Sequence, residues 1–390
     1  MLKFPIYLDN NSTTQLDPEV FETMKPYLLD KFGNASSKSH SFGLEAERAV
    51  EFSRKQIAEY IGASPEEIYF TSGTTESINL AHFGIAGSNL FKGKHIITST
   101  IEHPAVLESL KALEKYGYEI SFADVDKFGR IYPEKIVQLI KKETILVSVM
   151  AVNNEIATIQ PIQEIGKICK EKDVLFHIDA AQAIGKMNFN VKENNADLVS
   201  FSAHKSYGPK GIGALYIKKR IPSTKLTPII YGGGQENSLR SGTLNVPAIV
   251  GFGKAVQISS EKSGMERPKI AALKERLYKG IISNLDDVYV NGSIDYGLFN
   301  TLSLRFEGIH ADVLISSMKK IALSTGSACS SGSGKSSHVL KAIGLSDQEA
   351  KSSVRFGIGR FNTQEEIDFV INEVTEKVKN LRVFHSSELN

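Results

Sequence analysis

The sequence predicts an α/β protein in which a mostly parallel sheet is covered by helices and followed by a smaller α+β domain. Short β-branched runs alternate with amphipathic helical patterns between about residues 45 and 255. The runs are nearly continuous rather than alternating in polarity, as expected for strands that are covered on both faces. After about residue 258 the pattern changes to a long polar helix and two further strands. Strand–helix–strand alternation favours a parallel sheet.

Five runs in the first part of the chain are interpreted as strands: HIITST (95–100), TILVSVM (144–150), VLFHIDA (174–180), DLVSFSA (197–203) and GALYIKK (213–219). Between two of them, QPIQEIGKICKEKD predicts a helix with Ile162, Ile165, Ile168 and Cys169 on one face. In the second part, SSEKSGMERPKIAALKERLYKGI predicts a long helix, and NTLSLRFEG (300–308) and SVRFGIGR (353–360) predict strands. We therefore expect a large domain of residues 12–258 and a small domain of residues 1–11 and 259–390.

Composition excludes several classes of protein. The 390 residues include 46 basic and 44 acidic side chains, so the net charge of +2 gives no indication of a nucleic-acid or membrane-surface partner. No apolar run approaches the roughly 20 residues of a spanning helix, and the first residues do not resemble a signal peptide. Two cysteines cannot build a disulfide framework. We expect a cytoplasmic enzyme without a nucleic-acid or membrane partner.

Polar clusters follow the predicted strands, at the edge where ligands bind in sheets of this kind. FTSGTTESIN (70–79) offers backbone N–H groups and hydroxyls to an anion, although a plain helix N-cap is the commoner explanation of such a turn taken alone. In STIEHPAV, His103 follows a strand, and a lone histidine there is more often structural. HIDAAQ carries Asp179 and Gln182. SFSAHKSYGPKGIG places three further polar residues after the next strand: Ser202, His204 and Lys205.

Taken in order, these clusters match the requirements of one cofactor. Pyridoxal 5′-phosphate (PLP) needs a phosphate cradle, a lysine that forms a Schiff base, and a carboxylate beside its ring nitrogen. The chain supplies such groups from successive strand ends: Thr75, His103, Asp179 with Gln182, then Ser202, His204 and Lys205. The sequence therefore predicts a PLP site.

Nine motifs carry a specific resemblance, and they occur in order over nearly the whole chain: YLDNNSTT, SGTTESIN, EHPAV, VNNEI, HIDAAQ, HKSYGPKGIGALYI, GGGQENSLRSGTLN, STGSACSSG and SVRFGIGRF. This set resembles the cysteine desulfurases of the NifS/IscS type, which belong to the class V aminotransferase group. The resemblance implies the type I PLP-dependent transferase fold, with a seven-stranded large-domain sheet that binds PLP.

The resemblance assigns a cofactor role to residues of several motifs. Lys205 would hold PLP covalently and move protons, Asp179 would pair with the ring nitrogen, and Gln182 would bond the ring hydroxyl. His103 would stack on the ring and take part in proton transfer. The phosphate contacts would be Thr74, Thr75, Ser202 and His204, together with Thr243 from a partner subunit. The last contact implies a homodimer.

The substrate implied by the resemblance is L-cysteine. Asn154, which also lies beside the cofactor in the family, and Arg355 match the contacts to the substrate carboxylate, which a guanidinium binds bidentately. Cys329 would attack the substrate sulfur as a thiolate, release L-alanine and become a persulfide. The expected acceptor is an iron–sulfur scaffold protein, and no resident metal is expected, since Cys329 would meet a cluster only transiently. Cys169 is interpreted as a core residue.

The cysteine lies in a Gly/Ser-rich loop, LSTGSACSSGSGKSSH, at about residues 323–338. The family often has a Leu-Glu-Pro step here, whereas this chain has Gly334, Lys335 and Ser336. Glycine without proline predicts a looser loop. We expect that rigidifying Gly332 or Gly334 slows sulfur transfer more than it weakens PLP binding.

Three alternatives remain open on the sequence alone. A selenocysteine lyase or another class V PLP enzyme would share the fold, but most of these need no nucleophilic cysteine on a loop. A metal enzyme is suggested by His177 and Asp179, which share one face of a strand. That hypothesis leaves Lys205 unexplained. The third is a catalytically inactive interaction protein, although every expected catalytic residue is present.

Overall fold

The computed structural model describes residues 2–88, 93–219, 221, 226–326 and 336–388. Its strands are β1 (Ile6–Tyr7), β2 (Ile68–Thr71), β3 (His95–Ser99), β4 (Glu119–Ala123), β5 (Thr144–Met150), β6 (Leu175–Asp179), β7 (Leu198–Ser202), β8 (Gly213–Ile217), β9 (Val288–Val290), β10 (Thr301–Phe306), β11 (Ile321–Ala322) and β12 (Ser353–Gly357).

The α-helices are α1 (Pro18–Leu29), α2 (Ser41–Ile61), α3 (Thr74–Ala86), α4 (Pro104–Glu114), α5 (Pro133–Leu139), α6 (Ile162–Glu171), α7 (Val246–Ile282), α8 (Ala311–Ser317), α9 (His338–Ala342), α10 (Asp347–Lys351) and α11 (Gln364–Glu388). The predicted helix after the fifth strand is α6, in which Ile162, Ile165 and Cys169 are buried. The predicted long helix is the second half of α7, which runs without a break through residue 258.

The largest sheet has seven strands in the order β2-β8-β7-β6-β5-β3-β4. β8 is antiparallel to both of its neighbours, and the other pairs are parallel. Every residue of β5, β6, β7 and β8 is buried, which explains why these strands are apolar runs without alternation. The predicted α/β class with a mostly parallel sheet is confirmed.

The register of the central strands brings three polar positions to one edge of this sheet. Met150 at the end of β5 pairs with Asp179 at the end of β6, and Asp179 pairs with Ser200 in β7. Ser202, the last residue of β7, pairs with Gly213 of the antiparallel β8. Because parallel strands end at the same edge, their polar end residues converge on one region.

A second apolar core lies around the antiparallel sheet β12-β10-β9 and the parallel pair β1-β11. Ile6 and Leu8 from the N-terminus are buried in it together with Leu277 of α7, Phe306 of β10 and Val374 of α11. The N-terminal segment is therefore tied to the last third of the chain. Within the described residues, no helix combines the length and the apolar character that crossing a membrane requires.

Candidate active site

A cavity of about 540 Å³ opens at the carboxyl ends of the central strands. It collects side chains that the sequence places far apart. Most of the predicted site residues line it: Thr74, Thr75, His103, Asn154, Asp179, Gln182, His204, Lys205 and Arg355.

One end of the cavity has the features of an anion cradle. Thr74 and Thr75 form the first turn of α3, where backbone N–H groups are left without helical acceptors. The hydroxyls of Thr74 and Ser202 are buried, and neither has a hydrogen-bond partner among the described residues. Buried hydroxyls are normally paired, so two such groups beside a helix N-terminus fit a bound phosphate.

The close approach of two glycines, Gly73 and Gly213, sets the shape of this cradle. A Cβ atom on Gly213 would lie 2.6 Å from the Cα of Gly73, the residue that precedes α3. Because Gly213 is also the strand partner of Ser202, the Ser202 end of β7 lies beside the Gly73–Thr74 turn. The sheet and the helix N-terminus can approach this closely only with glycine at residue 213.

An ion pair anchors the first turn of α3. Arg240 donates to Glu76 from Nε at 2.7 Å and from Nη2 at 3.2 Å. Burial alone would raise the pKa of Glu76, but hydrogen bonds from Arg240 and Ser72 outweigh it, so the pKa is lowered. Glu76 is therefore a paired carboxylate, and its charge is compensated beside the anion cradle.

Asp179 lies at the end of β6 and is 5% exposed. Its Oδ1 accepts a hydrogen bond from the backbone N–H of Ala181 at 2.9 Å. Burial raises the pKa of Asp179 to about 6, against the opposing effects of that N–H and of Lys205. A buried carboxylate with a raised pKa gains from a cationic partner, such as a protonated ring nitrogen.

Lys205 and Gln182 meet at a main-chain acceptor in the N-terminal segment. Lys205, which ends the short 3-10 helix Ala203–Lys205, donates from Nζ to the carbonyl oxygen of Asn11 at 2.9 Å. Gln182 donates from Nε2 to the same oxygen at 2.9 Å. The predicted Schiff-base lysine and the predicted ring-hydroxyl contact therefore lie side by side.

The two predicted histidines hold little charge near neutral pH. Burial, with Lys205 and His338 adding to it, lowers the pKa of His103 to about 4. Burial and the nearby lysines likewise lower the pKa of His204 to about 4. His103 also caps α4, because its Nδ1 accepts from the backbone N–H of Ala105 at 3.1 Å. The capping bond fixes Nδ1 as an acceptor and leaves Nε2 to carry the proton of the neutral ring.

Arg355 lies in β12, lines the same cavity and is 2% exposed. Its Nη2 donates at 2.7 Å to both Asp9 Oδ1 and Ser12 Oγ, and its Nη1 donates to the carbonyl oxygens of Asn154 and Gly326. The Nε atom is buried without a partner among the described residues. Arg355 thus combines a structural ion pair with an unused donor in a residue that lines the cavity.

Two predicted site residues of the described chain do not line this cavity. Ser202 is buried at the end of β7, and Thr243 is exposed. Cys329, with Gly332, Gly334 and Lys335, lies outside the described residues, so its predicted role stays a prediction. Cys169 is buried in α6, and burial, followed by the charge of Asp197, raises the pKa of its thiol to about 12. This pKa fits its interpretation as a core residue.

Several cavity residues were not singled out from the sequence: Asn11, Glu102, Glu155 and His338. Glu102 precedes His103 and is fully buried, and burial raises its pKa to about 8. Glu155 follows Asn154 and accepts a hydrogen bond from Ser337 at 2.5 Å. Both glutamates occur within motifs that carry the family resemblance, EHPAV and VNNEI. That position was the sign in the sequence that they belong to the site.

The His177–Asp179 pair does not form a metal site. Both ring nitrogens of His177 are engaged at 2.8 Å, one by Ser148 and one by Ser200. Ser148 also bonds His82 at 3.0 Å, so the two imidazoles belong to one buried chain of hydrogen bonds. In the part of the chain that the structure describes, no three potential ligands converge on a metal position.

Comparison with known proteins places the chain among well-defined relatives. A family model described as Aminotransferase class-V matches residues 6–370. Cysteine desulfurase IscS of Anaeromyxobacter sp. strain Fw109-5 is 49% identical over 381 residues, which cover 98% of this chain and 94% of that protein. Cysteine desulfurase IscS of Rickettsia typhi is 50% identical, with coverages of 98% and 93%.

Solved structures give the same pattern. A NifS-like protein superposes with a TM-score of 0.89 at 37% identity, over 96% of this chain and 99% of that chain. A structure described as SspA in complex with cysteine has a TM-score of 0.81 at 38% identity, over 92% of this chain and 100% of the other.

Proposed function

The chain belongs to the class V aminotransferase family and, within it, to the cysteine desulfurases, and from this premise we propose that it converts L-cysteine into L-alanine and leaves the sulfur as a persulfide on Cys329. The observation that carries the proposal is the convergence of Lys205, Asp179 and the Thr74 turn on one cavity.

Pyridoxal 5′-phosphate is the cofactor of this family, and the donor set of the cavity fits it. The unpaired buried hydroxyls of Thr74 and Ser202 suit the phosphate. The buried carboxylate of Asp179 suits the ring nitrogen, and the amine of Lys205 suits the aldehyde carbon. When bound, the cofactor supplies an electron sink for the electron pair that is released at the substrate Cα.

The side chains around the cofactor site then have distinct tasks. Asp179 holds a proton at the ring nitrogen, since its buried carboxylate is stabilised by that charge. Gln182 donates to the ring oxygen from Nε2. Lys205 would hold the cofactor, and its amine could move the proton at the substrate Cα. His103, neutral with its proton on Nε2, can donate that proton at the substrate sulfur and take it back.

Arg355 and Asn154 would bind the substrate carboxylate, and Arg355 retains one N–H, that of Nε, without a partner among the described residues. The Cys329 thiolate then forms an S–S bond with the substrate sulfur while the C–S bond breaks. The electron pair left on the substrate Cβ takes up a proton, and the product is alanine. Cys329 retains the sulfur as a persulfide.

We further propose that the protein acts as a homodimer in which Thr243 completes the phosphate site of the partner subunit. Thr243 is exposed in its own chain, and the segment before it is tied to the phosphate turn by the Arg240–Glu76 pair. Large apolar side chains are also exposed on α1, on α2 and in the segment between them: Phe21, Leu28, Leu29, Phe32, Phe42 and Phe52. An exposed apolar group of this size is typical of a subunit interface.

The proposed destination of the sulfur is an iron–sulfur scaffold protein, in the cytoplasm. A thiolate on a second protein can take up the outer sulfur of a persulfide by exchange. No further change of oxidation level is needed for this transfer. The proposal is tested by loading the protein with radiolabelled cysteine sulfur and following the label to a purified scaffold protein. Label that stays on this chain would remove the scaffold from the proposal.

The activity is tested with three proteins: the wild type, Lys205→Ala and Cys329→Ala. The wild type is expected to be yellow, to lose its colour on borohydride treatment, and to release alanine from L-cysteine, with sulfide released when a thiol reductant such as dithiothreitol reduces the persulfide. Cys329→Ala should keep the colour and lose turnover, whereas Lys205→Ala should lose the borohydride-sensitive linkage. Undiminished alanine and sulfide release by Cys329→Ala would overturn the mechanism, and a wild type that cannot be loaded with PLP would overturn the cofactor assignment.

A further inference from the structure

A buried lysine that no motif singled out contacts the predicted ring-oxygen residue. Lys186 is 6% exposed and donates from Nζ to the side-chain carbonyl Oε1 of Gln182 at 2.5 Å. Lys186 follows Gln182 by four residues in the segment after β6. Gln182 lines the cavity, and Lys186 approaches it from behind. The contact is therefore directed at a site residue, although Lys186 does not line the cavity.

The backbone between these residues is shaped for the contact. Gly185 has a φ of +80°, which favours glycine, and a Cβ atom there would lie 2.6 Å from the hydroxyl of Ser206. That hydroxyl in turn donates to the carbonyl oxygen of Ile184 at 2.5 Å. The turn at Gly185 is thus held against Ser206, the residue that follows Lys205. This contact fixes the backbone position of Lys186.

The hydrogen bonds of Gln182 allow one orientation of its amide. The carbonyl oxygen of Asn11 can only accept, so Nε2 must face it, as it does at 2.9 Å. Oε1 then faces Lys186 Nζ, which donates to it. The reversed amide would place two oxygens, Oε1 and the Asn11 carbonyl, against each other. One N–H of Nε2 serves Asn11, and the second N–H remains for a group in the cavity.

Keeping a lysine amine at this buried position costs free energy. Burial lowers the pKa of Lys186 well below its usual value, and the charges of Lys205 and Arg355 lower it further. A lysine amine that served only to fill space could be replaced by an apolar side chain of the same length at no such cost. Its hydrogen bond to a residue of the cavity wall gives the position a specific task.

We propose that Lys186 is a positioning residue that locks the Gln182 amide with its N–H toward the cofactor's ring oxygen. This inference rests on the proposed function, because it names a further residue of the same PLP site. Without Lys186, Oε1 of Gln182 is left buried without its donor, and only the Asn11 carbonyl still holds the amide. The second N–H is then held less firmly toward the ring oxygen and stabilises negative charge there less well.

The test uses the PLP-loaded full chain and the substitution Lys186→Met, which keeps the length of the side chain and removes the donor. The readouts are the PLP dissociation constant and the pH midpoint of the visible absorption of the bound cofactor. We expect PLP binding to weaken by roughly 3- to 10-fold, the range for one lost hydrogen bond. We expect the midpoint to rise, since an N–H donor favours the anionic ring oxygen.

A matched control separates this role from a general loss of stability. Lys274 is also a buried lysine, 8% exposed, and donates to the carbonyl oxygen of Leu298 at 3.0 Å, away from the cavity. Lys274→Met should lower thermal stability without moving the absorption midpoint. If Lys186→Met does not fold, Lys186→Arg, which keeps a donor, replaces it and should retain the wild-type midpoint. A shifted midpoint in Lys186→Arg would overturn the proposal.

Combination with Gln182→Ala shows whether Lys186 acts through Gln182 or through its charge. Gln182→Ala alone should raise the midpoint, and adding Lys186→Met should then cause no further rise. A further rise of the same size in the Gln182→Ala background, or a wild-type midpoint in Lys186→Met alone, would overturn the inference. Either result leaves the proposed function intact, whereas a wild type without cofactor absorption contradicts the proposed function itself.

Discussion

The carbonyl oxygen of Asn11 accepts hydrogen bonds from Lys205 Nζ and from Gln182 Nε2, each at 2.9 Å. The position of this oxygen depends on the Asn11 side chain, which exchanges hydrogen bonds with the hydroxyl of Thr301 in β10 at 2.8 and 3.0 Å. A residue of the small antiparallel sheet therefore helps to position two groups of the cavity that follow strands β6 and β7 of the seven-stranded sheet.

Thr301→Val tests this link, because it removes the hydroxyl and keeps the shape of the side chain. The buried Asn11 amide loses one of its partners and keeps the carbonyl oxygen of Asn154 at 3.3 Å. We expect a loss of about 1–3 kcal/mol in the free energy of unfolding, measured by urea titration, together with weaker PLP binding. Thr23→Val is the control, since that hydroxyl bonds only to Glu19 O within α1. Equal stability of the two variants would show that the Asn11–Thr301 contact contributes nothing.

Asp179→Asn should weaken PLP binding in a pH-dependent way. The wild-type carboxyl has a pKa of about 6 before the cofactor binds, so it is mostly ionised at pH 7.5 and mostly neutral at pH 5. We expect the variant to bind PLP roughly 10- to 100-fold more weakly at the higher pH, the range for a charged hydrogen bond. The difference should shrink at the lower pH. Equilibrium dialysis measures the PLP dissociation constants of the wild type and the variant at both pH values. A ratio of these constants that does not change with pH would contradict the assignment of Asp179 to the ring nitrogen.

Glu102→Gln should reduce the pH dependence of stability. Burial raises the pKa of Glu102 to about 8, so between the unfolded value near 4.5 and about 8 the folded chain holds the proton more tightly. The folded state then binds more protons than the unfolded state, and rising pH costs stability, by up to about 1.4 kcal/mol per pH unit.

Glutamine keeps an oxygen that can accept from Ser99 Oγ and Met150 N, the two donors to Glu102 Oε1. Urea titrations of both proteins at about pH 5.5 and 7.5 measure the effect. The wild type should lose more stability than the variant as the pH rises. Other buried carboxyls, such as Glu155 and Asp179, affect both proteins alike. Parallel losses would mean that Glu102 is ionised in the folded chain.

Ser148→Ala tests the buried histidine chain. The hydroxyl of Ser148 serves Nε2 of His82 and Nδ1 of His177, and both rings are fully buried. Two ring nitrogens lose a partner, so we expect about 2–4 kcal/mol of destabilisation in urea. Ser316→Ala, which removes an exposed hydroxyl bonded to Asp312 O, should cost little.

The same histidines predict a loss of stability in acid. Burial lowers the pKa of His82 to about 3 and that of His177 well below its usual value. Unfolded histidines bind protons near their ordinary pKa of about 6.5, whereas these do not. Stability should therefore fall as the pH drops below that value. His82→Gln should weaken this dependence, and an unchanged acid transition would assign it to other groups.

Much of the fold was predictable because the central strands are buried on both faces and give continuous apolar runs. Thr144–Met150 was predicted to the residue, and the other predicted strands agree within two or three residues at each end. The edge strand β4 was missed, since only its last residue is buried and it carries Glu119 and Ser121. β2 was missed because it has only four residues, Ile68–Thr71, directly after a turn.

The site was predictable where a motif ends a strand. The family resemblance is confirmed by the matches to class V aminotransferases and to cysteine desulfurases. Lys186 and Asn11 were not predicted as functional residues, because their contacts depend on tertiary approach. Asn11 acts through a backbone carbonyl, which no residue type encodes. Lys186 is a lysine in a turn, and its burial is visible only in the folded chain.

The two ends of the chain meet beside the cavity, and this has a consequence for biosynthesis. Ile6 of β1 pairs with Ile321 of β11, and Asp9 forms its ion pair with Arg355. Contacts between residues this far apart in sequence form late in folding. All seven strands of the large sheet are synthesised by residue 217, so this sheet can form early on the ribosome. The wall that contains Arg355 closes only when synthesis is nearly complete, so an unfinished chain lacks a complete cavity.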